Sequence, residues 1–342
     1  MKKLFNSFAL LSLLAGAGLA HAGSHTWSGA VNNSWSNAGN WSAGGAPQFG
    51  EPNITLIFPA VATRYAATNG VGNYAIDSIV FEGSNYSLGG YGITLTGSGL
   101  YNLTSYGTNN VIACDMTLNS VLEYFYVDSY DSLTLSGALT GPGGFFKFGR
   151  GTLTLAGSTA NTYAGGTTVK LGFVRLAKPS FVTSIPGDLI IGDPVSNTYF
   201  VQVSNENHHQ IADSANVTVN PSADLYLNGH YEGIGSLTLV QGVVITDTSP
   251  ALPGQLTVMG SITVSNSYPQ PSSISGHMSL GGTLRTFDVT GFSVLDVSAV
   301  LSDNLLPAGI NKIGTGTLRL SGDNTFTDEI LVQDGKIGRA HV

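Results

Sequence analysis

Two adjacent histidines, His208 and His209, are the residues whose type first points to metal binding. Imidazole nitrogens bind zinc when carboxylates or thiolates complete the coordination sphere. Neighbouring side chains in an extended chain point to opposite faces, so this pair cannot bind one metal ion together. No cysteine or carboxylate lies at zinc-ligand spacing around them, and Glu206 is the nearest acidic residue. We expect a surface loop here, and we predict no metal ion and no cofactor for the chain.

Asp128 and Asp131, in the stretch YVDSYDS, are two carboxylates that could act as general acid and base. Glycoside hydrolysis requires two carboxyl groups at a defined separation. A spacing of three residues places their side chains on opposite faces of a regular strand. We therefore expect turn roles for both and predict no catalytic residue, although a stack of strands could still assemble a carboxylate pair from distant positions.

The segment 141–144, GPGG, has the glycine content of a phosphate-binding loop. It lacks the Lys-Ser/Thr pair that follows such a loop and the helix whose N-terminus would face the phosphate. A turn between strands is the simpler interpretation.

Aromatic residues offer the main alternative to a purely structural interpretation. Trp27, Trp35 and Trp41 lie among Asn, Ser and Gly, and amphipathic rings of this kind stack on sugars. The run YFY at 124–126 could form a second exposed platform. We favour an N-terminal cap and inward packing for these rings, and keep glycan contact by the three tryptophans as the alternative.

The composition gives acid–base and metal chemistry few residues to use. Of 342 residues only 10% are charged, 45 are glycine and one, Cys114, is cysteine. A chain with a net charge of −8 is not expected to present the basic face that nucleic acids select, so we expect no nucleic-acid partner. Cys114 follows the apolar stretch VIA and is expected to be a small buried hydrophobic residue.

The N-terminus has the order of a secretory signal peptide. Two lysines precede the apolar run LLSLL, and Ala20 and Ala22 flank His21 just before Gly23. We predict cleavage after Ala22 and an exported protein that is at the cell surface, outer membrane-associated or extracellular. No later run approaches about 18 apolar residues, so we expect no further membrane-spanning segment.

Short alternating segments occupy the rest of the chain. Apolar residues alternate with Thr or Ser, and Gly, Asn, Asp or Pro closes each segment, which is typical of strands with one face in the core. The clearest segments are 78–81, 92–96, 132–135, 235–239 and 254–258. Helix signals are scarce after the signal peptide, so the pattern predicts an all-β sandwich, barrel or solenoid.

An internal repeat decides between these architectures. From Gly144 the chain reads GFFKFGRGTLTLAG, and from Gly309 it reads GINKIGTGTLRLSG. Further along, NTY at 161–163 matches NTF at 324–326. Alternating leucines and glycines recur while outward residues change, which is typical of a unit that buries its face against neighbouring units.

These residues resemble the autotransporter-associated β-strand repeat. The second copy, from Lys312 to Gly335, matches less well because Asp-Glu-Ile replaces an Ala-Gly-Gly turn. In the first copy the match is carried by Lys147, Gly149, residues 151–155, Gly157, residues 161–163, Gly165, Thr167, Val169 and Gly172. The resemblance implies a right-handed parallel β-helix, in an autotransporter passenger or an exported surface protein of similar build.

Stacking geometry gives this architecture its dimensions. Strands of neighbouring coils lie about 4.8 Å apart, so roughly 20–25 residues per coil give about 13 coils and a rod on the order of 60 Å long. We predict a signal peptide at 1–22, an N-terminal cap at 23–60, a β-helix at 61–336 with repeat copies near 144–176 and 309–336, and a tail at 337–342. That tail, IGRAHV, breaks the repeat pattern and matches the translation of a common sequencing adapter, so we hypothesise that it is foreign to the natural protein.

Together these features predict a non-enzymatic structural or adhesive segment of a larger cell-surface protein, in the form of a rigid stalk. Surface glycans or other cell-surface proteins are the expected partners. One alternative is a β-helix polysaccharide lyase or glycosidase, which requires carboxylates and a base that converge in one groove. Another is a carbohydrate-binding module, which requires a coplanar row of exposed aromatic rings.

Overall fold

The chain coils into a parallel β-solenoid of about 12 turns. The structure is a computed structural model that describes residues 23–43, 45–104, 109–195, 199–247, 253–265 and 270–339. Within these ranges every element is a strand except one short 3-10 helix, Ala38–Asn40. The prediction of an all-β parallel β-helix is confirmed. The predicted signal peptide, with Ala20 and Ala22, lies outside the described residues, which begin at Gly23.

The strands, numbered in chain order, form three sheets. The first sheet has 17 strands: β1 Ser24–Trp27, β2 Trp41–Ala43, β3 Thr55–Phe58, β5 Tyr74–Phe81, β7 Ile93–Asn102, β9 Met116–Leu118, β10 Leu122–Val127, β12 Leu139–Thr140, β13 Gly144–Phe148, β15 Thr167–Val169, β17 Leu189–Ile191, β19 Val217–Val219, β22 Leu237–Leu239, β25 Ile262–Val264, β28 Leu284–Val289, β31 Gly309–Ile313 and β33 Ile330–Val332. The second has 13: β4 Ala66–Asn69, β6 Ser87–Gly90, β8 Asn109–Ile112, β11 Ser132–Leu135, β14 Thr152–Leu155, β16 Gly172–Leu176, β18 Val201–Asn205, β20 Ala223–Tyr226, β23 Val243–Ile245, β26 Ser272–Ser275, β29 Val294–Val297, β32 Thr317–Leu320 and β34 Lys336–Arg339. The third has four: β21 Tyr231–Ile234, β24 Gln255–Val258, β27 His277–Ser279 and β30 Val300–Ser302.

Period-two alternation decides which residues form the core. In β14 the leucines of TLTL are buried and the threonines are half-exposed, and β11 repeats this pattern. All five segments singled out by their alternation coincide with strands, namely β5, β7, β11, β22 and β24.

Parallel, in-register pairing stacks the inward residues into columns. One column in the second sheet descends through nine coils, and all of its members are buried: Leu133, Leu153, Val174, Val203, Leu225, Val244, Ile274, Val297 and Leu320. Each coil therefore buries its apolar face against the coil before and the coil after, which accounts for the repeat in the sequence.

The tryptophan-rich segment packs onto the first coils. β1 pairs antiparallel with β2 and parallel with β3, so the chain doubles back once before coiling begins. The indole of Trp41 lies edge-on to those of Trp27 and Trp35, at centroid distances of 5.2 Å and 6.4 Å. Trp27 Nε1 donates to the Arg64 carbonyl oxygen at 2.8 Å. Capping by residues 23–60 stays a prediction, and this packing supports it.

The C-terminal strand β34 extends the stack. It pairs in parallel with β32 along four residues, and Ile337 packs against the core. Residues 340–342 lie outside the described part, and the foreign origin of 337–342 stays a prediction. Among the described residues, no helix has the length and apolar character needed to cross a membrane.

Candidate functional site

Lys147 is the most unusual residue of the first repeat copy because its side chain is fully buried. Alternation along β13 turns it inward. Its Nζ donates to the carbonyl oxygens of Phe148 at 3.0 Å, Gly149 at 2.7 Å and Leu171 at 2.9 Å. Leu171 belongs to the following coil, so the ammonium group bridges two coils. Burial lowers the pKa of Lys147 to about 7.

Lys312 repeats this arrangement in the second copy. Its Nζ donates to the carbonyl oxygens of Ile313 and Gly314, both at 2.6 Å, and of Asp334 at 3.3 Å. Burial again lowers the pKa of the amine. The lysine of the repeat therefore satisfies backbone carbonyls. The repeat pattern in the sequence includes this lysine but did not reveal its hydrogen-bonding role. The alternation of the strand does predict that its side chain points inward.

The asparagine of the repeat is also a backbone partner. Asn161 Oδ1 accepts from the Leu139 amide at 2.9 Å, and its Nδ2 donates to the Ser184 carbonyl at 2.8 Å, which ties together three successive coils. In the second copy, Asn324 Oδ1 accepts from the Leu301 amide at 2.9 Å. The side chains that define the repeat are thus used to hold coils together.

Outward positions of the same coils form the best candidate for a binding surface. We call Tyr101, Tyr124, Tyr126, Phe146 and Phe148 the aromatic platform. Strand register aligns Tyr101, Tyr126 and Phe148 in one row and Tyr124 and Phe146 in the next. Tyr124 lies 5.7 Å from Phe148 at an interplanar angle of 30°, and 6.0 Å from Phe146 at 35°. Tyr124 is 43% exposed and the other four are half-buried.

Polar groups hold the tyrosines of the platform in place. Tyr101 donates its hydroxyl to the Ser98 carbonyl at 2.9 Å, and burial raises its pKa to about 12. Tyr126 donates to Asp128 Oδ1 at 3.3 Å. Phe125, the middle residue of the YFY run, points inward and stacks on Phe145 at 4.6 Å. Only the two outer rings of that run therefore belong to the platform.

The three tryptophans do not present open faces to solvent. Trp27 and Trp35 are 0% exposed and Trp41 is 6% exposed. Glycan contact by these rings was the alternative considered from the sequence, and their burial supports the packing interpretation instead. The indoles pack against one another, and that of Trp27 also packs against Phe58 of β3.

His208 and His209 lie in the connection between β18 and β19, as the surface-loop prediction required. The fold also brings together three residues whose spacing in the sequence gave no sign of a cluster. Ligand atoms of His209, Asp213 and Glu232 lie within 4.8 Å of one another. Glu232 is 23 residues beyond His209 and comes from the next coil. Burial raises the pKa of Glu232 to about 7, against hydrogen bonds that lower it.

The other residues considered from the sequence lie in turns or in the core. Asp128 and Asp131 lie in the turn between β10 and β11, where the Asp131 amide donates to the Asp128 carbonyl at 3.2 Å. The GPGG segment links β12 to β13, and a side chain at Gly143 would meet the Ser120 carbonyl. Cys114 is buried, and burial raises the pKa of its thiol to about 11. The expected turns and the expected buried thiol are confirmed.

Two segments of the chain, 145–176 and 310–337, match the family model of the passenger-associated-transport-repeat. Both segments are similar to that repeat. Neither the curated proteins nor the solved structures contain a significant match to the chain. Each repeat spans four consecutive strands, β13 to β16 in the first and β31 to β34 in the second. The solenoid and the paired matches agree with a passenger β-helix of an autotransporter.

The two matched segments keep apolar or identical residues at most inward positions and differ at several outward positions. Phe146 and Phe148 of the first repeat correspond to Asn311 and Ile313 of the second. The platform is thus built on positions that the repeat leaves free, and the cluster around Glu232 lies between the repeats.

Proposed function

We propose that this chain is a non-enzymatic, rigid β-helical segment of a larger exported surface protein. The observation that carries the proposal is the use of the repeat's polar side chains. Lys147 and Asn161 direct their hydrogen bonds to backbone groups of their own and neighbouring coils. A repeat whose defining side chains bond the backbone contributes stiffness. The passenger-repeat matches support export to the cell surface.

The mechanical role follows from the geometry of stacking. About 12 coils at about 4.8 Å per coil give a rod on the order of 60 Å long. Apolar columns run through the stack and side chains such as Lys147 and Asn161 bridge neighbouring coils, so bending would separate hydrogen-bonded strands. Such a rod can hold an attached domain or binding surface away from the membrane.

Export and activity test this proposal together. The chain with its own N-terminus, expressed in a Gram-negative host, should leave the cytoplasm and be cleaved after Ala22, which N-terminal sequencing of the exported product would show. The purified chain should release no reducing ends or unsaturated products from a polysaccharide panel on which control hydrolases and lyases act. Retention in the cytoplasm with an intact N-terminus would contradict export. Polysaccharide cleavage that Asp213→Asn abolishes would favour an enzyme.

A second candidate function, glycan adhesion, is favoured by the aromatic platform. Five rings in two adjacent rows offer apolar faces to sugar rings, and tyrosine hydroxyls add polar contacts. The ring planes of Tyr124 and Phe148 differ by only 30°. This arrangement, with Tyr124 as its exposed ring, supports a carbohydrate-binding surface on the first sheet.

Glycan binding can be tested by substitution of outward rings. We expect Tyr124→Ala combined with Phe148→Ala to abolish binding to glycans that the unmodified chain captures on an array. Phe292→Ala is a matched control, because that ring is 99% exposed and lies outside the platform. Equal binding by the platform variant and the control would exclude the platform as the adhesive surface.

A further inference from the structure

The cluster of His209, Asp213 and Glu232 lies where the third sheet begins. β21, which carries Glu232, is the edge strand of that sheet and pairs only with β24 on the other side. The connection that carries His209 and Asp213 covers the free edge, and the His209 amide donates to the Tyr231 carbonyl at 2.9 Å. Two segments from successive coils thus meet at this cluster.

Glu232 is fixed by an unusually complete set of donors. Its Oε2 accepts from Asn205 Nδ2 and the Gln210 amide, both at 2.7 Å, and from the Ile211 amide at 3.1 Å. Its Oε1 accepts only from the Gly233 amide, at 3.1 Å. A carboxylate oxygen has two lone pairs, so Oε1 retains an acceptor position for another partner.

Asp213 and His209 are positioned beside this carboxylate by their neighbours. A Cβ atom at Gly233 would lie 2.8 Å from Asp213 Oδ1, so the absence of a side chain there leaves room for the carboxylate. The ring of His209 stacks on Phe181 at 4.7 Å with an interplanar angle of 18°. The stacking contact restricts where the imidazole can lie, and the space at Gly233 admits the Asp213 carboxylate.

The amide oxygen of Asn205 is an independent sign that a polar group is missing from this cluster. Its side chain is 0% exposed and donates Nδ2 to Glu232, but its Oδ1 has no hydrogen-bond partner in the part of the chain that is described. A buried oxygen without a partner is costly in free energy. A cation beside Glu232, or a water bound to that cation, would supply such a partner.

We propose that His209, Asp213 and Glu232 bind a divalent transition-metal ion, Zn²⁺ in the first place, that clamps the β18–β19 connection to the next coil. Two carboxylates balance the charge of the ion, and the imidazole nitrogen favours Zn²⁺ over Mg²⁺ and Ca²⁺, which prefer oxygen ligands. Asn205 and the backbone amides orient Glu232 from outside the coordination sphere.

The required movement is small. Tetrahedral coordination at zinc–ligand distances near 2.1 Å separates ligand atoms by about 3.4 Å. The three ligand atoms already lie within 4.8 Å of one another, and Asp213 is exposed, so its side chain can move toward the other two. The clamp would serve a chain whose single cysteine allows no internal disulfide.

Calorimetry with ZnCl2 tests the site on the chain prepared without a polyhistidine tag and freed of metal by chelator. We expect one Zn²⁺ per chain and a rise in Tm that MgCl2 does not reproduce. Asp213→Asn and His209→Ala should each weaken Zn²⁺ binding by about tenfold or more. Absorption of the Co²⁺-loaded chain should show low-symmetry coordination that the same variants lose.

Controls separate this site from other histidines. Asp213→Asn is isosteric and exposed, so its far-UV circular dichroism should match that of the unmodified chain. His277→Ala, in a His–Asp pair with Asp247 two strands away in the third sheet, should bind Zn²⁺ normally. The ring of His230 lies 4.9 Å from that of His208, so these two histidines are the nearest alternative ligands considered. The proposal is overturned if the chain binds no Zn²⁺, or if binding survives unchanged in Asp213→Asn, whether or not His230→Ala removes it. Glu232→Gln is less informative because it also disturbs the loop.

Discussion

Lys147 stabilises the fold from the core, although lysine side chains usually lie at the surface. A buried ammonium is costly to desolvate, and here three carbonyl oxygens offset part of that cost. The same carbonyls end their strands in a turn and need a donor. The lysine at this inward position therefore serves as a hydrogen-bond donor to the backbone.

Replacement of Lys147 by Met should destabilise the solenoid. Methionine fills a similar volume but donates nothing, so three carbonyl groups lose their partner, at a cost of about 2–4 kcal/mol in the free energy of unfolding. Urea unfolding followed by circular dichroism measures the change. Lys170→Met is the control, because Lys170 is partly exposed in its ion pair with Asp193, and a loss near that of Lys147→Met would contradict the argument.

The pKa of Lys147 also predicts a dependence of stability on pH. The pKa falls from 10.5 in the unfolded chain to about 7 in the solenoid. Between these values the unfolded chain binds more protons than the folded one, so stability rises with pH across this window. The difference in stability between the unmodified chain and Lys147→Met should therefore grow from about pH 7 to pH 10. Parallel pH profiles would show that burial does not shift this amine.

At the scale of elements, coils are joined by side chains as well as by strand pairing. Asn161 reaches the coil before it and the coil after it, whereas Asn324, near the end of the described stack, is half-buried and bonds one amide. The same residue type at equivalent repeat positions therefore carries different weight. The number of flanking coils decides this difference.

Asn161→Ala should accordingly cost more stability than Asn324→Ala. We expect losses of about 2 kcal/mol and about 1 kcal/mol respectively, because the first leaves a buried amide and a buried carbonyl without partners. Hydrogen exchange should also show faster exchange of the Leu139 amide in Asn161→Ala. Equal losses in the two variants would mean that the bridge to the Ser184 carbonyl contributes little.

At the scale of the whole molecule, the free energy needed to open a coil depends on where that coil lies along the stack. Contacts in a solenoid are confined to neighbouring coils, so its ends can open before its middle. All three tryptophans lie within residues 27–41, at one end. Tryptophan fluorescence therefore reports this end alone, while circular dichroism reports every coil.

Unfolding in urea should separate these two signals. We expect the fluorescence transition of the buried indoles to precede the circular dichroism transition, because the N-terminal segment has coils on one side only. Trp35→Phe should move the fluorescence midpoint to lower urea and leave most of the circular dichroism transition in place. Coincident transitions in all variants would indicate that the rod unfolds as one cooperative unit.

Alternation and repetition were enough to predict the strands, their inward leucines and the stacked architecture. These properties depend on residues two positions apart or on the comparison of two similar segments, as in TLTL of β14 and TLRL of β32. The inward position of Lys147 follows from the same rule. Its carbonyl partner at Leu171 does not, because it belongs to the next coil.

The side-chain clusters were settled by the tertiary fold. Tyr101, Tyr126 and Phe148 align because coils of different length return their strands to a common register. His209, Asp213 and Glu232 meet because a loop folds over the edge of β21, a placement that spacing along the chain cannot express. Local periodicity fixes which face a residue occupies, whereas loop lengths and register between coils fix its neighbours.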